Sequence, residues 1–322
     1  MGESAPQPSR IPARDQPKPR GKSAPRPDAT NVIPLFVRRV LRPNFRVSRF
    51  ENYTRASRNY DRTRQPIGRE IVLGALALGP RPPARQRVLD AGCGTGNYLA
   101  ALAPRVGEMV GVEPNPGMRA RARAKVRGRA NVRLLAGSLP ALPLPDASCD
   151  GVLVNFVLHH LETGEDDAFT ATRQALAECR RALAPGGVLI IQTCTPRQYR
   201  EGYWYAALIP RAIERAVRRY LPVEALVRSL NELGLRAVER WTPLDAVLQG
   251  EAYLDPRGPF RREWRDGDSS WALAEEAELR RALERLDRMI ADGSIRAFLA
   301  ARETLRRACG QATFVLARQP AS

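Results

Sequence analysis

Val88-Leu-Asp-Ala-Gly-Cys-Gly-Thr-Gly-Asn-Tyr98 reads as a short apolar strand, a glycine-rich turn and a helix opening near Asn97. Glycines at 92, 94 and 96 let the backbone bend sharply and approach a ligand closely. The helix N-terminus behind them leaves N–H groups unpaired. Strand, turn and helix together make a nucleotide-binding unit of an α/β protein. Dinucleotide loops read Gly-x-Gly-x-x-Gly, whereas this turn reads Gly92-x-Gly94-x-Gly96 behind Asp90. The loop alone leaves several nucleotides open.

The flanking sequence alternates strand and helix patterns. Strands are expected at 87–91, 108–113, 131–136, 149–154 and 187–193, and helices at about 96–104, 115–127 and 165–184. Such alternation implies a parallel sheet with crossover helices. Leu235–Trp241 and Ala312–Ala317 read as two late strands. Residues 203–233 and 245–308 add helical material around them, opening with Tyr203-Trp204-Tyr205.

Glu113 ends the second strand about 20 residues after Asp90, where a carboxylate can accept both hydroxyls of a ribose. Asp90 with its glycines, Val110 to Met118, Ala136 to Leu139, Cys149 to Leu161 and Leu183 to Thr193 come in the order of the motifs of class I S-adenosylmethionine-dependent methyltransferases, which the chain resembles over 52–193. Asn59-Tyr-Asp-Arg-Thr-Arg64 is similar to a segment of the small-molecule members, of the methyltransferase type 11-like kind.

The resemblance implies an α/β fold: a Rossmann-like seven-stranded, mostly parallel sheet flanked by helices, its last strand antiparallel, with helical insertions near the C-terminus. S-adenosylmethionine is the implied cofactor. Asp90, Ala91, Gly92, Cys93, Gly94, Thr95 and Gly96 would cradle its methionine part, and Glu113 would take the ribose. Pro114, Asn115 and Met118 would lie beside the adenosine. Gly137, Ser138 and Leu139 occupy the adenine position. There the family often has Gly-Asp, so Ser138 offers a hydrogen bond without a charge, which the backbone of Leu139 can share. Asn155 and Phe156 would lie near the methyl group, and Tyr60 and Arg64 would close over the cofactor, Arg64, with Arg62 the alternative, pairing with its carboxylate. His159 and His160 are the chain's only histidines, so any imidazole base is one of them. Tyr203, Trp204 and Tyr205 are candidate walls of an acceptor pocket.

The implied activity is in-line methyl transfer to a small-molecule acceptor. A protein or RNA methyltransferase and a non-catalytic cofactor-binding regulator remain alternatives. Asn155-Phe-Val-Leu differs from the Asn/Asp-Pro-Pro-Tyr motif of RNA base enzymes.

Composition bounds the rest. The chain has 322 residues, 43% hydrophobic, and a net charge of +18. More than half of that excess lies before residue 71, and only three of the 52 basic residues are lysine. This weakens a nucleic-acid reading without removing it. No apolar run reaches the roughly 18 residues a transmembrane helix needs. The five cysteines are scattered without metal spacing, so no metal is expected and a reducing, cytoplasmic setting is. The basic N-terminus is also compatible with organelle targeting. Residues 1–30, rich in Pro and Arg, read as a disordered tail. Residues 31–79 read as a helical extension, and 80–322 as the catalytic domain. Its cofactor core spans 86–193, and acceptor-side insertions span 199–233 and 245–308.

Overall fold

The structure is a computed structural model, and it describes residues 1–2, 61, 64–166 and 168–321. The remainder of the expected tail, the extension up to residue 63 apart from Asp61, and Tyr60 lie outside the described residues.

Seven strands form one sheet: β1 Arg87–Ala91, β2 Glu108–Glu113, β3 Val132–Ala136, β4 Cys149–Asn155, β5 Leu183–Thr193, β6 Arg236–Trp241 and β7 Thr313–Arg318. Their order is β3-β2-β1-β4-β5-β7-β6. Strands β1 to β5 pair in parallel, and β7 runs antiparallel to both β5 and β6. The two late strands complete the sheet as the sequence implied.

Among the described residues, the α-helices longer than four residues are α1 Arg69–Ala77, α2 Asn97–Leu102, α3 Pro116–Lys125, α4 Thr170–Ala182, α5 Pro196–Glu201, α6 Pro210–Val217, α7 Val223–Glu232, α8 Glu276–Ala291 and α9 Ile295–Cys309. Helix α4 starts later than the hydrophobic pattern placed it. Asp166 accepts the N–H groups of Ala168 and Thr170, and Phe169 takes a left-handed φ of 51°. That turn consumes the residues before Thr170.

Successive residues of a strand point to opposite faces. Val88 therefore packs with Leu76 of α1 and Leu99 of α2, while Leu89 packs with Leu176 of α4 and Leu226 of α7. Each such buried side chain contributes about 1.5–3 kcal/mol. Burial on both faces explains the nearly continuous apolar runs of the central strands. Helix α7 thus belongs to the layer on the sheet, although its sequence fell within the expected acceptor-side insertion 199–233.

A separate core lies among the C-terminal helices. It gathers Tyr199, Tyr203, Trp204, Tyr205, Tyr220 and Tyr253 with Trp264 and Trp271, against α6, α8 and α9. Three of the chain's four tryptophans are there. Among the described residues no helix is long and apolar enough to cross a membrane.

Candidate active site

The strand order reverses direction at β1 and β4, and the crevice outside the carboxyl ends of such strands is where open α/β sheets bind ligands. The glycine turn opens there. The N–H groups of Gly92 and Cys93 both bond to the carbonyl of Val112, which folds the turn over the end of β2. Gly92 has φ 81°, and a Cβ on it would lie 2.7 Å from Val157. Gly94 has φ 54°, but a Cβ there would meet nothing within 4 Å.

Glu113 faces the turn from the end of β2. Its Oε2 accepts the N–H of Gly94 (3.1 Å) and its Oε1 accepts the N–H of Asn115 (2.8 Å). Each carboxylate oxygen still has a lone pair for a hydroxyl donor. Burial raises the Glu113 pKa, and the Asn115 and Gly94 N–H groups pull it back. Asn115 caps α3, its Oδ1 accepting the N–H of Met118 (3.0 Å), and Pro116 follows at the first helical position. Met118 and Leu139 are buried beside this edge, and Ser138 bridges Ala141 just beyond β3.

Asp90 and Asn155 meet across the reversal, with Nδ2 of Asn155 3.4 Å from Oδ1 of Asp90. Burial pushes the Asp90 carboxyl up to about 7, against the Asn155 bond and with help from the Glu113 charge. The Oδ1 of Asn155 is buried with no hydrogen-bond partner. A free acceptor, an open patch over Gly94 and a carboxylate with spare lone pairs fit a nucleoside carrying a cationic tail. Cys93 is buried, and its thiol pKa is raised by burial and by Asp90. It is no nucleophile at neutral pH.

A polar clasp above the turn was not among the expected features. Thr95 Oγ1 donates to Asp61 (2.5 Å), Lys125 Nζ pairs with Asp61 (2.7 Å), and Lys125 also bonds Asn97. Lys125, one of three lysines in the chain, was the signal available.

Phe156 follows Asn155 with φ 50°, a left-handed conformation costly for a bulky residue. Its ring enters a neighbouring cavity that also takes in Arg64, His159, His160, Tyr199, Tyr203 and Asp268. Arg64 pairs there with Asp268 (3.2 Å), and its carbonyl accepts Nδ2 of Asn97 (3.1 Å). Asp268 also accepts the hydroxyl of Tyr205 (2.5 Å) and the N–H of Ser270 (2.9 Å). Burial would raise the Asp268 pKa, but Arg64 and these bonds hold it below its ordinary value. Burial drives both histidines below the ordinary imidazole range, His160 to about 3, and the Arg219 and Arg64 charges push the same way. Both are neutral at physiological pH.

Of the three aromatic wall candidates, only Tyr203 reaches this cavity. Trp204 is core, its indole N–H donating to the carbonyl of Tyr253 (2.6 Å), and the Tyr205 hydroxyl is spent on Asp268. Tyr199, Tyr220 and Asp268 line the cavity without having been singled out from the sequence. Among the described residues no group of His, Cys, Asp and Glu is arranged to hold a metal.

Comparison with known proteins agrees with this geometry. A family model described as a methyltransferase domain matches residues 89–191. An uncharacterized methyltransferase of Mycobacterium bovis is 33% identical over 141 residues, which cover 44% of this chain and 67% of the relative. A malonyl-[acyl-carrier protein] O-methyltransferase of Methylococcus capsulatus is 31% identical over 206 residues, covering 55% and 71%. A crystal structure from Anabaena variabilis, described as a methyltransferase of an antibiotic biosynthesis pathway, superposes with a TM-score of 0.62 at 26% identity, covering 77% of this chain and 96% of that one. With a seven-stranded sheet of this order and relatives matched over two thirds of their length, the chain belongs to the S-adenosylmethionine-dependent methyltransferases.

Proposed function

We propose that the chain methylates a small-molecule acceptor seated in the cavity beside Phe156. One observation carries this reading. Asn155 and Phe156 are consecutive at the end of β4, yet Asn155 reaches Asp90 in the crevice while Phe156 lines the cavity. A donor in one and an acceptor in the other would meet at that strand end.

In this reading Glu113 takes the ribose hydroxyls, and the backbone from Ala91 to Gly96 carries the methionine part. Pro114, Asn115, Met118, Gly137, Ser138 and Leu139 frame the adenosine. Asp90 and the free Oδ1 of Asn155 face the cationic end. Arg64 acts on the acceptor side through Asp268, in place of the carboxylate contact implied by the resemblance. The bound cofactor supplies an electrophilic methyl on a sulfonium, which leaves as a neutral thioether. The residues of the chain therefore have to orient two reactants and keep water out, which is worth several kcal/mol. A buried imidazole with a depressed pKa is a poor proton acceptor, so His159 and His160 serve better as hydrogen-bonding walls than as bases.

Calorimetry with S-adenosylmethionine tests the cofactor assignment. Wild-type protein is expected to bind, and Glu113→Ala to bind about 100-fold more weakly, since two hydrogen bonds to a charged group are lost. No binding by wild type at millimolar cofactor would overturn the enzyme reading. Unchanged affinity in Glu113→Ala would remove the ribose role.

A further inference from the structure

The positive charge of the chain is not spread evenly. Between Glu113 and Asp146 lie seven basic residues and no acid. Two of the seven are committed: Arg119 donates to the carbonyls of Glu113 and Pro114, and Lys125 pairs with Asp61. Helix α3 buries Met118 and Ala122 and leaves Arg123 exposed, and Arg127 and Arg129 follow in the exposed turn before β3. Elsewhere arginines meet carboxylates, as Arg181 meets Asp146 and Glu178, and Arg200 meets Glu214. Among the described residues Arg123, Arg127 and Arg129 meet none.

Two more arginines join them. The segments that lead into β1, β2 and β3 lie side by side at the amino ends of parallel strands. The N–H of Gly107 bonds the carbonyl of Pro83 (3.2 Å), and Nδ2 of Asn131 bonds the carbonyls of Ala103 (2.8 Å) and Val106 (3.2 Å). Arg85 and Arg105 stand exposed on the first two segments, again with no carboxylate partner among the described residues. Glu108 is the one acid in residues 83–87, 103–108 and 126–133, and it is shared between Arg87 (3.3 Å) and Arg133 (3.5 Å). Neighbouring strands are about 4.8 Å apart, so the unpaired guanidinium groups gather along about 10 Å of sheet edge and the end of α3 beside it. Like charges gathered so closely repel, and a polyanion laid over them relieves that repulsion.

The remaining chemistry of the face selects the polyanion. A stable protein interface has an apolar centre with large anchoring side chains, and a membrane surface calls for an apolar wedge. None of the large hydrophobic side chains exposed among the described residues lies in these three segments, Leu78 after α1 being the nearest in sequence. A single strand of nucleic acid calls for rings on which its bases stack, and residues 99–155 contain no Phe, Tyr or Trp. What the face offers is guanidinium forks, which hold phosphate oxygens in pairs. A duplex carries one phosphate per roughly 1.7 Å of axis, dense enough to meet all five arginines. We propose that this face docks the phosphate backbone of duplex nucleic acid without reading its sequence. Phosphate contacts fix position and carry no base information. Strand β1 runs five residues, roughly 15 Å, from this face to the crevice of Asp90 and Glu113, so duplex and cofactor are held at opposite ends of the sheet. The docking is independent of which acceptor is methylated.

The full chain is titrated into a labelled DNA duplex of about 20 base pairs and mixed sequence, from about 50 to about 200 mM salt, with fluorescence anisotropy as the readout. Wild type is expected to bind, to weaken steeply as salt rises, and to change affinity less than about three-fold when the duplex sequence is scrambled. One variant carrying Arg105→Gln, Arg127→Gln and Arg129→Gln should bind at least about ten-fold more weakly at about 100 mM salt. Its slope of log K against log salt should flatten by about 2–3. Lysine at the same three positions keeps the charge and should keep the slope. A control with Arg280→Gln, Arg281→Gln and Arg288→Gln removes the same charge from the exposed side of α8, where acids and bases mix, and should move the slope by less than about one. S-adenosylhomocysteine affinity should be the same with and without saturating duplex; a change above about three-fold would put the duplex in the crevice and overturn the assignment. No duplex binding by wild type at about 50 mM salt, or an equal loss of slope in the α8 control, would also overturn it. Tighter binding of polyglutamate or of phosphatidylglycerol vesicles than of the duplex would overturn it in favour of an acidic protein or a membrane.

Discussion

At the cofactor end, Gly94 reaches Glu113 across 19 residues of sequence, and Asn115 reaches Glu113 across two. At the acceptor end, Arg64 reaches Asp268 across 204 residues and Tyr205 reaches it across 63. The first end is made of main-chain groups placed by a turn, with the side chains of Glu113 and Asp90 at the adjoining strand ends. The second is made of side chains brought together only when the C-terminal helices close on the sheet. A site of the first kind can hold one ligand through extensive change elsewhere in the chain. A site of the second kind changes ligand with each exchange of an aromatic or charged wall.

The largest effect on stability is expected at the acceptor end. Asp268→Ala removes the buried carboxylate that pairs with Arg64 and accepts the Tyr205 hydroxyl. Removing one member of such a pair costs about 3–5 kcal/mol, read as a lower urea midpoint at unchanged slope. Cofactor affinity of the folded protein should change less than about three-fold, a difference below about 0.7 kcal/mol. A larger change would show that Arg64, whose carbonyl holds Asn97 at the glycine turn, couples the two ends. The contrast drawn above would then be too sharp.

The same contrast decides what was legible. The strands around Asp90 and Glu113, the glycine turn and both late strands could be read because short apolar runs and glycine spacing are local signals. The start of α4 could not, because Asp166 and a left-handed Phe169 set it rather than hydrophobic period. In Tyr203-Trp204-Tyr205 the sequence located an aromatic region but not its facing. Neighbours in a short turn point different ways, and Trp204 and Tyr205 went to the core. Asp268 sits in Asp266-Gly-Asp-Ser-Ser270, a stretch that reads as an ordinary polar loop. Only the partner 204 residues away gives it meaning.

A smaller effect tests the electrostatics of the cofactor end. Burial raises the Asp90 pKa from 3.8 to about 7. Between those values the folded protein holds a proton that the unfolded chain has lost. Stability from this group is therefore fully present below about pH 4 and declines as pH rises to 7, by up to about 1.4 kcal/mol per pH unit. Asp90→Asn should remove that slope and make the ligand-free protein more stable than wild type above pH 7. Urea melts of both proteins from pH 5 to 8 check it. Parallel pH profiles would mean that Asp90 is already ionised in the crevice.

The smallest expected change in stability belongs to Gly94→Ala, and it isolates function best. Alanine at φ 54° costs about 1 kcal/mol of backbone strain, and the added methyl meets no atom of the protein within 4 Å. Gly92→Ala carries the same kind of strain and adds contacts of 2.7 and 2.9 Å with Val157, so it should unfold at markedly lower urea. If the space over Gly94 is where the cofactor lies, the alanine methyl intrudes on the ligand instead of on the fold. Cofactor affinity should then fall more than ten-fold, over about 1.4 kcal/mol, in a protein whose melting is nearly that of wild type. Binding as tight as wild type would place the cofactor away from the turn. The main-chain cradle would then be only a way of joining β1 to α2, and Glu113 would lose the partner that gives its two free lone pairs a use.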